Sequence, residues 1–460
     1  MLFITLIIVA VLLVGFVLMS SEQINHINRA AVAMFTGVIT WVIYMLHADY
    51  FINLVHEAEY SAFLGGALST ADTVKEYVAN HILNGYIGEA CSVILFLIAT
   101  NTILEVMNNN GVFDSLVRWM RMRDSRRFLW FLSLLTLAIS FNVDNLTTVV
   151  LMLSLLKLIV RSQQQKVIYA CAIMVSATLG GCFTVIGDMT SLMLWVRGAV
   201  TPTDFTLGLA PAVLTSMCVF NLLLGTLLHG RVEMVSFVDK YDGDDATLNG
   251  WQKFVMLVIG IVGLWSIPSF SFYTKLPPFL GALCVLALIW VFEGMCNVKR
   301  NLIAVFVQRN YFRSTEFIGM RIILYFIGIS LGVGALNECG ALDYLAGVME
   351  TYVHNIYIYG VATGLLASVV DNVPVMMTGM NLFPVDMVEG SGSQFVQNGV
   401  YWQMLSFSCA MGGSLLFISS LAGQAVMQVE KMHFSWYLKN YVWRVAVAWA
   451  AGLLVFWMTH

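Results

Sequence analysis

Long apolar runs alternate with short polar joints along the whole chain. Ten runs, near 2–19, 30–46, 90–107, 167–196, 207–228, 254–270, 278–295, 317–336, 400–428 and 441–458, are close to or above the roughly 20 residues that carry a helix across a bilayer. Two more are interrupted. At 128–160, apolar arms at 128–139 and 149–156 flank Ser140-Phe141-Asn142-Val143-Asp144-Asn145-Leu146-Thr147-Thr148. At 356–384 the break is Asp371-Asn372-Val373-Pro374. The arms of the first pair are too short to span, and a carboxylate, amides and hydroxyls at that depth require a polar partner there. Irregular backbone in hydrocarbon is tolerated only beside protein or a water-filled cavity. The pattern therefore predicts an all-α polytopic membrane protein with ten full spans and two re-entrant helical hairpins.

Composition agrees: 59% of the 460 residues are hydrophobic and 11% charged, too apolar for a soluble protein. The net charge of -4 leaves no basic domain for nucleic acid. Where the charges fall says more. With the ends of the first hairpin placed in the cytoplasm, twenty Lys and Arg lie in cytoplasmic joints, among them Arg29, Arg118, Arg121, Arg126, Arg127, Lys157, Arg161, Lys240, Lys299, Arg300, Arg309 and Lys431. Only Lys75, Arg197 and Lys275 fall outside, which fixes the orientation by the positive-inside rule and puts both termini in the periplasm of a bacterial inner membrane. The acidic loop 47–88, with three His, reads as a solvated outer excursion carrying a short surface helix. Residues 2–19 lack a basic lead and a small-residue cleavage site, so they are predicted to be a retained helix. The acidic connector 239–245 lacks the terminal Glu of a calcium loop and reads as a solvated join. Eight scattered cysteines, with no C-x-x-C pair, read as small apolar residues.

The two halves repeat. Gly111-Val112-Phe113-Asp114 precedes Asp144 as Gly340-Ala341-Leu342-Asp343 precedes Asp371, and Gly180-Gly181 through Asp188 matches Gly412-Gly413 through Ser420. The second hairpin is flanked by His354, Asp386 and Glu389 instead of Lys or Arg, so it opens outward and the repeats are inverted. Four regions follow: 1–89, N-terminal scaffold helices and outer loop; 90–230, the first repeat, with hairpin 128–160 and broken helix 167–196; 231–316, linker and scaffold; 317–460, the second repeat, with hairpin 356–384 and broken helix 400–428. Inverted repeats with broken segments at matching places point to a secondary transporter whose site lies where the breaks meet.

The chemistry at the breaks is that of hard oxygen. Backbone groups freed at half-helix ends, with Asp144, Asn145, Thr147 and Thr148, suit an alkali or alkaline-earth cation or a proton, and no Cys-His cluster accompanies them for a soft metal. Asp188, Thr190 and Ser191 add oxygens beyond the Gly pair, with Thr178 just before it. The second half offers Asp371, Asn372, Gly413, Ser414, Ser419 and Ser420, with Pro374 setting the turn; Ser420 in place of Asp188 makes the half-sites unequal in charge. Asp144, Asp188 and Asp371 cannot all stay ionised without a cation beside them. Competition of protons and a metal ion for the same carboxylates is sufficient for exchange. Glu105 is a further proton-carrying candidate.

At Ser140, 144–148, Ile186-Gly187-Asp188-Met189-Thr190, 370–374, Gly412-Gly413-Ser414 and Trp436-Tyr437-Leu438-Lys439 the chain resembles the NhaD-type sodium/proton antiporters of the ion-transporter superfamily. The resemblance runs from about residue 90 onward. It implies exchange of Na+, with Li+ as a second cargo, for H+, a homodimer, and a transport domain moving against a scaffold in elevator fashion. It adds Ser140 and Gly187 to the cation-binding set and calls for no cofactor. Val185, Thr178 and Phe141 depart from the family pattern, all in the first half-site.

Two other functions compete. A sodium-coupled dicarboxylate symporter of the same superfamily would carry Ser-Asn-Thr at both tips, where this chain has Asp, which repels an anion. An intramembrane aspartyl hydrolase could use Asp144 and Asp188 as a dyad, but it leaves Asp371 and the repeat unexplained. A zinc protease is excluded by the lack of H-E-x-x-H, since His56-Glu57 runs into Ala58-Glu59-Tyr60.

Overall fold

A computed structural model describes residues 2–66, 68–113, 120, 122–234, 248–297, 313–352, 355–386, 394–430, 432 and 434–460. Asp114, the connector 239–245, His354, Glu389, Arg118, Arg121, Lys240, Lys299, Arg300, Arg309 and Lys431 lie outside the described residues. Among the described residues the chain is helical, with isolated β-bridges only. Nine helices among the described residues are long and apolar enough to cross a membrane: Phe3–Ser20, Arg29–Leu46, Ala71–Asn109, Gln163–Phe183, Pro202–Gly225, Gly250–Thr274, Pro278–Cys296, Gly319–Glu338 and Ser435–Thr459.

The 400–428 run, expected as a broken helix, is discontinuous. It divides into Val400–Gly413, a 3-10 turn Phe417–Ser419, and Leu421–Glu430. The 167–196 run divides likewise after Gln163–Phe183 and resumes as Met189–Val196. The two interrupted runs are helix pairs, Ser125–Ser140 with Asn145–Ile159 and Ile356–Val369 with Asn372–Leu382. Asp124 starts the first by accepting from the Arg126 and Arg127 amides. Pro374 lies inside the first turn of the 372–382 helix and not in the turn before it, a place where its missing N–H leaves nothing unpaired.

A larger departure is the outer loop. Instead of one short surface helix it holds Ala48–Val55 and Glu57–Leu64, then a helix from Ala71 that continues through a π segment, Val78–Leu83, into Asn84–Asn109. Charged Asp72, Lys75 and Glu76 hide this extension from hydropathy, while Thr70 nucleates it by accepting from the Thr73 amide at 3.3 Å. Tyr44, Phe51, Ile52, Val74, Tyr77 and Val78 close a small apolar core beneath it.

Close helix crossings hold the body together. A β-carbon at Gly37 would lie 2.5 Å from the Gly328 carbonyl, so the 29–46 and 313–338 helices touch backbone to backbone. Ser133 donates to Asn221 Oδ1 at 2.9 Å and ties the 125–140 helix to 202–225. Segment 230–234 hydrogen-bonds to both outer ends of the first helix pair, through Gly230 O to Ser125 N (3.4 Å) and Glu233 O to Arg161 N (2.7 Å). At the second pair, Tyr359 and Phe383 bring the outer ends together, ring centroids 5.8 Å apart. The broken helices run past one another in opposite directions: Gln163 donates to Glu430 O (2.9 Å) at one end, and Asn398 N to Ala199 O (2.9 Å) at the other.

Candidate cation-binding site

The breaks meet in the middle of this body. Helix 189–196 packs against 372–382, helix 145–159 against 421–430, and helices 163–183 and 400–413 against each other. Asp144, Asp188 and Asp371 are buried here, each less than 5% exposed. They share one electrostatic field, with Asp144 sensing Asp188, and Asp188 sensing Asp371.

In the first half the glycines make the approach possible. A β-carbon at Gly180 would stand 2.7 Å from Leu137 O, and one at Gly187 2.6 Å from Ser140 O. At Gly181 it would lie 3.1 Å from Asp188 Cβ and 3.6 Å from Asn145 Cβ, which places these residues around one small space. Ser140 Oγ donates to Ala177 O (2.7 Å) and Thr184 Oγ1 to Phe141 O (2.6 Å), pinning the tip to the broken helix. Asp144 caps the 145–159 helix through Oδ2, which accepts from Leu146 N at 3.2 Å. Its other oxygen, Oδ1, is buried with no protein partner. Asp188 Oδ2 accepts from Thr190 Oγ1 at 2.6 Å, and Ser191 Oγ reaches both Asp188 O and Gly181 O.

Several hydroxyls are spoken for. Thr147 donates to Asn101 Oδ1 (2.9 Å) on the 84–109 helix, Thr148 to Val143 O (3.4 Å), and Thr178 back to Met174 O within its own helix. Phe141, one of the departures, stacks on Phe183 at 4.6 Å. Glu105 lies one turn beyond Asn101, half-buried on the same helix.

The second half repeats the backbone arrangement with different chemistry. A β-carbon at Gly412 would overlap Gly364, which precedes Asp371 by the same interval as Leu137 precedes Asp144. At Gly413 it would lie 3.4 Å from Asn372 Cβ, the counterpart of Gly181 beside Asn145. Ser419 Oγ donates to Gly413 O (3.1 Å) as Ser191 does to Gly181 O. Ser414 donates to Ala410 O, and Ser420 Oγ accepts from Gly423 N (3.0 Å), starting the 421–430 helix. Asp371, however, is matched. Arg29 Nη1 lies 3.3 Å from its Oδ2, and Tyr325 OH donates to the same oxygen at 2.6 Å.

Arg29 and Tyr325 were not legible as site residues. In the sequence Arg29 is one positive charge among twenty cytoplasmic ones, and Tyr325 is part of an apolar run. No group of three His, Cys, Asp or Glu side chains among the described residues could hold a metal, so the ligands on offer are scattered hard oxygens. Of the eight cysteines, expected as small buried apolar residues, Cys171, Cys182, Cys339 and Cys409 are buried, and Cys91, Cys218, Cys284 and Cys296 are not.

The citrate-transporter family, CitMHS, matches residues 1–394. "Sodium/proton antiporter 1" of Arabidopsis thaliana is 26% identical over 377 residues, covering 81% of this chain and 62% of that protein, so this chain spans less than two thirds of its length. "Sodium/proton antiporter 2" of the same plant is 23% identical, over 97% of this chain and 98% of its own. "Na(+)/H(+) antiporter NhaD" of Vibrio cholerae is 27% identical, over 76% and 74%.

Proposed function

We propose, from the premise that this chain belongs to the CitMHS citrate-transporter family, that it is a secondary active transporter exchanging Na+, or Li+, for H+. Membership makes it a carrier and removes the aspartyl hydrolase from consideration. The names of the aligned relatives favour cation/proton exchange. The observation that carries the reading is Asp144 Oδ1, a buried carboxylate oxygen without a protein partner in a space shared with Asp188. Among the described residues no Lys or Arg forms an ion pair with these carboxylates, and Arg29 is held by Glu22 and Asp371, so the site favours a cation over an anion such as citrate.

In this reading the proposed ligands are Asp144, Asn145, Asp188 and Ser191, with Ser140 and Gly187 shaping the tip, and protons and cation compete for Asp144 and Asp188. The helix pairs at 125–159 and 356–382 act as re-entrant hairpins. The paired contacts at segment 230–234 and at Tyr359–Phe383 support that, as does the opposed run of the broken helices for inverted repeats. Hairpins and broken helices form a transport domain that moves, elevator-like, against a scaffold containing the 29–46, 84–109 and 313–338 helices. A cavity of about 40 Å³ lined by Met193 and Met377 from the former and by Val93 and Val333 from the latter supports such a division. The assembly is a homodimer in a bacterial inner membrane, with both termini on the outer side.

Energised everted vesicles carrying a pH dye test this. NaCl and LiCl should restore fluorescence for the wild type and not for Asp144→Asn. No response to either cation, together with sodium-dependent uptake of labelled citrate or succinate, would move the chain to the anion symporters.

A further inference from the structure

The two half-sites share their backbone plan and differ in how their aspartates are neutralised. Arg29 opens the 29–46 helix, outside both repeats, yet its guanidinium is buried. Nη1 lies 3.3 Å from Asp371 Oδ2, Nε 2.8 Å from Glu22 Oε2, and the guanidinium sits 5.7 Å from the centre of the Tyr325 ring. The neighbouring chain grips the same tip, since Ser20 Oγ donates to Val370 O at 3.0 Å. The N-terminal segment thus inserts a fixed positive charge where the repeat would otherwise bind a mobile one.

The first tip has no such device. Among the described residues no Lys or Arg forms an ion pair with Asp144 or Asp188. Phe96 stands as far before Gly111 as Tyr325 stands before Gly340, so the hydroxyl that donates to Asp371 is replaced by bare ring in the first half. A buried carboxylate needs a counter-charge. Asp371 has one built in, and Asp144 has a vacant oxygen.

We propose that Arg29 is a tethered cation occupying the second half-site, so that only the half-site of Asp144 and Asp188 takes a free sodium ion. Arginine does not lose its proton in proteins. With Arg29 against Asp371, the second half-site therefore leaves no uncompensated aspartate for a free cation and takes none in this arrangement. Arg29 determines how many cations are bound without touching the transported one, and this rests on the antiporter reading.

The test is the stoichiometry of ²²Na+ binding to the purified full-length protein, which does not depend on transport. The wild type should bind a single sodium ion per chain without cooperativity. Arg29→Gln should leave Asp371 uncompensated and add a second sodium ion per chain, and Arg29→Gln with Asp371→Asn should return the count to one. Arg29→Lys, which keeps the charge, should stay at one. Two ions bound by the wild type would overturn the proposal and leave antiport standing, as would a count of one in Arg29→Gln. No sodium bound by the wild type would overturn the antiporter reading and this inference with it. The wild-type count needs no variant, so the proposal remains exposed even if Arg29→Gln does not fold.

Discussion

Gly181 and Gly187 flank the same break, yet one added methyl should affect them differently. At Gly181 the new carbon would meet Asp188 Cβ at 3.1 Å and Gly187 O at 3.2 Å, distances that a few tenths of an ångström of movement relieve. The movement displaces Asp188 itself. Gly181→Ala should therefore fold normally and weaken the apparent affinity for sodium by about tenfold, equivalent to ~1.4 kcal/mol, within the usual range for overpacking. At Gly187 the carbon would lie 2.6 Å from Ser140 O and 2.8 Å from Gly181 O, both backbone atoms of packed segments. Gly187→Ala should cost stability first, on the order of 1–3 kcal/mol, seen as a lower Tm and poorer expression. A Gly187→Ala protein that melts with the wild type would show that the tip is looser than these contacts imply. The same scale explains what the sequence conceals. Asp144, Asp188 and the Gly pairs announce themselves as polar or flexible residues inside apolar runs. Arg29 and Tyr325 do not, because their role depends on a contact with a residue more than three hundred positions away for Arg29 and forty-six for Tyr325.

At the scale of helices, the second half depends on the 356–369 and 400–413 helices crossing with almost no side chain between them. A β-carbon at Gly412 would overlap the Gly364 carbonyl, and one at Gly364 would lie 2.9 Å from Ser408 O as well as striking Trp449. Neither backbone can yield without parting the helices and withdrawing Asn372 from Gly413. Gly412→Ala should then lose stability first, with sodium binding falling only as the fold is lost, unlike Gly181→Ala, where affinity falls in a folded protein. Thermal melting beside ²²Na+ binding separates the two outcomes. A Gly412→Ala protein with the wild-type Tm would mean that the two helices have room to part. Both breaks and both Gly pairs were legible as interruptions of hydrophobic runs, because unpaired backbone and polar side chains persist in hydrocarbon only where protein or water meets them. The 71–83 extension was not legible, since a helix projecting above the apolar layer carries Asp72, Lys75 and Glu76 without penalty and resembles a loop in composition. The break in 400–428 was legible mainly through its match to Gly180-Gly181 in the first half, because Ser414 and 417–420 by themselves are short and weakly polar.

For the whole molecule, the segment 47–64 packs as a cap and is tied to the 84–109 and 313–338 helices by a hydrogen-bonded cluster. His56 Nε2 lies 2.7 Å from Glu338 Oε2, and its Nδ1 lies 3.1 Å from Glu59 Oε2. Tyr86 donates to Glu338 Oε1 at 2.7 Å, and Asn337 donates to the Tyr86 hydroxyl at 2.9 Å. The cluster thus joins the 57–64, 84–109 and 313–338 helices. The hydrogen bond to Glu338 is the largest influence on His56 and raises its pKa above the usual histidine value, against the opposing effect of partial burial. A group whose pKa is higher folded than unfolded stabilises fully below its unfolded value, about 6.5, and loses that contribution as pH rises through the folded value. His56→Gln should therefore lower Tm most near pH ~6, with the difference from wild type shrinking steadily as the medium becomes alkaline. Glu338→Gln removes the partner and should flatten the same pH dependence while leaving His56 in place. Paired melting curves across that range decide the matter. A His56→Gln difference that is constant with pH would mean that the imidazole contributes packing alone, and that the cap is held by the Tyr86–Glu338–Asn337 bonds without charge. A difference that disappears at high pH would mean that acid conditions fasten the cap to the 84–109 and 313–338 helices, both of which line the cavity beside Met193 and Met377.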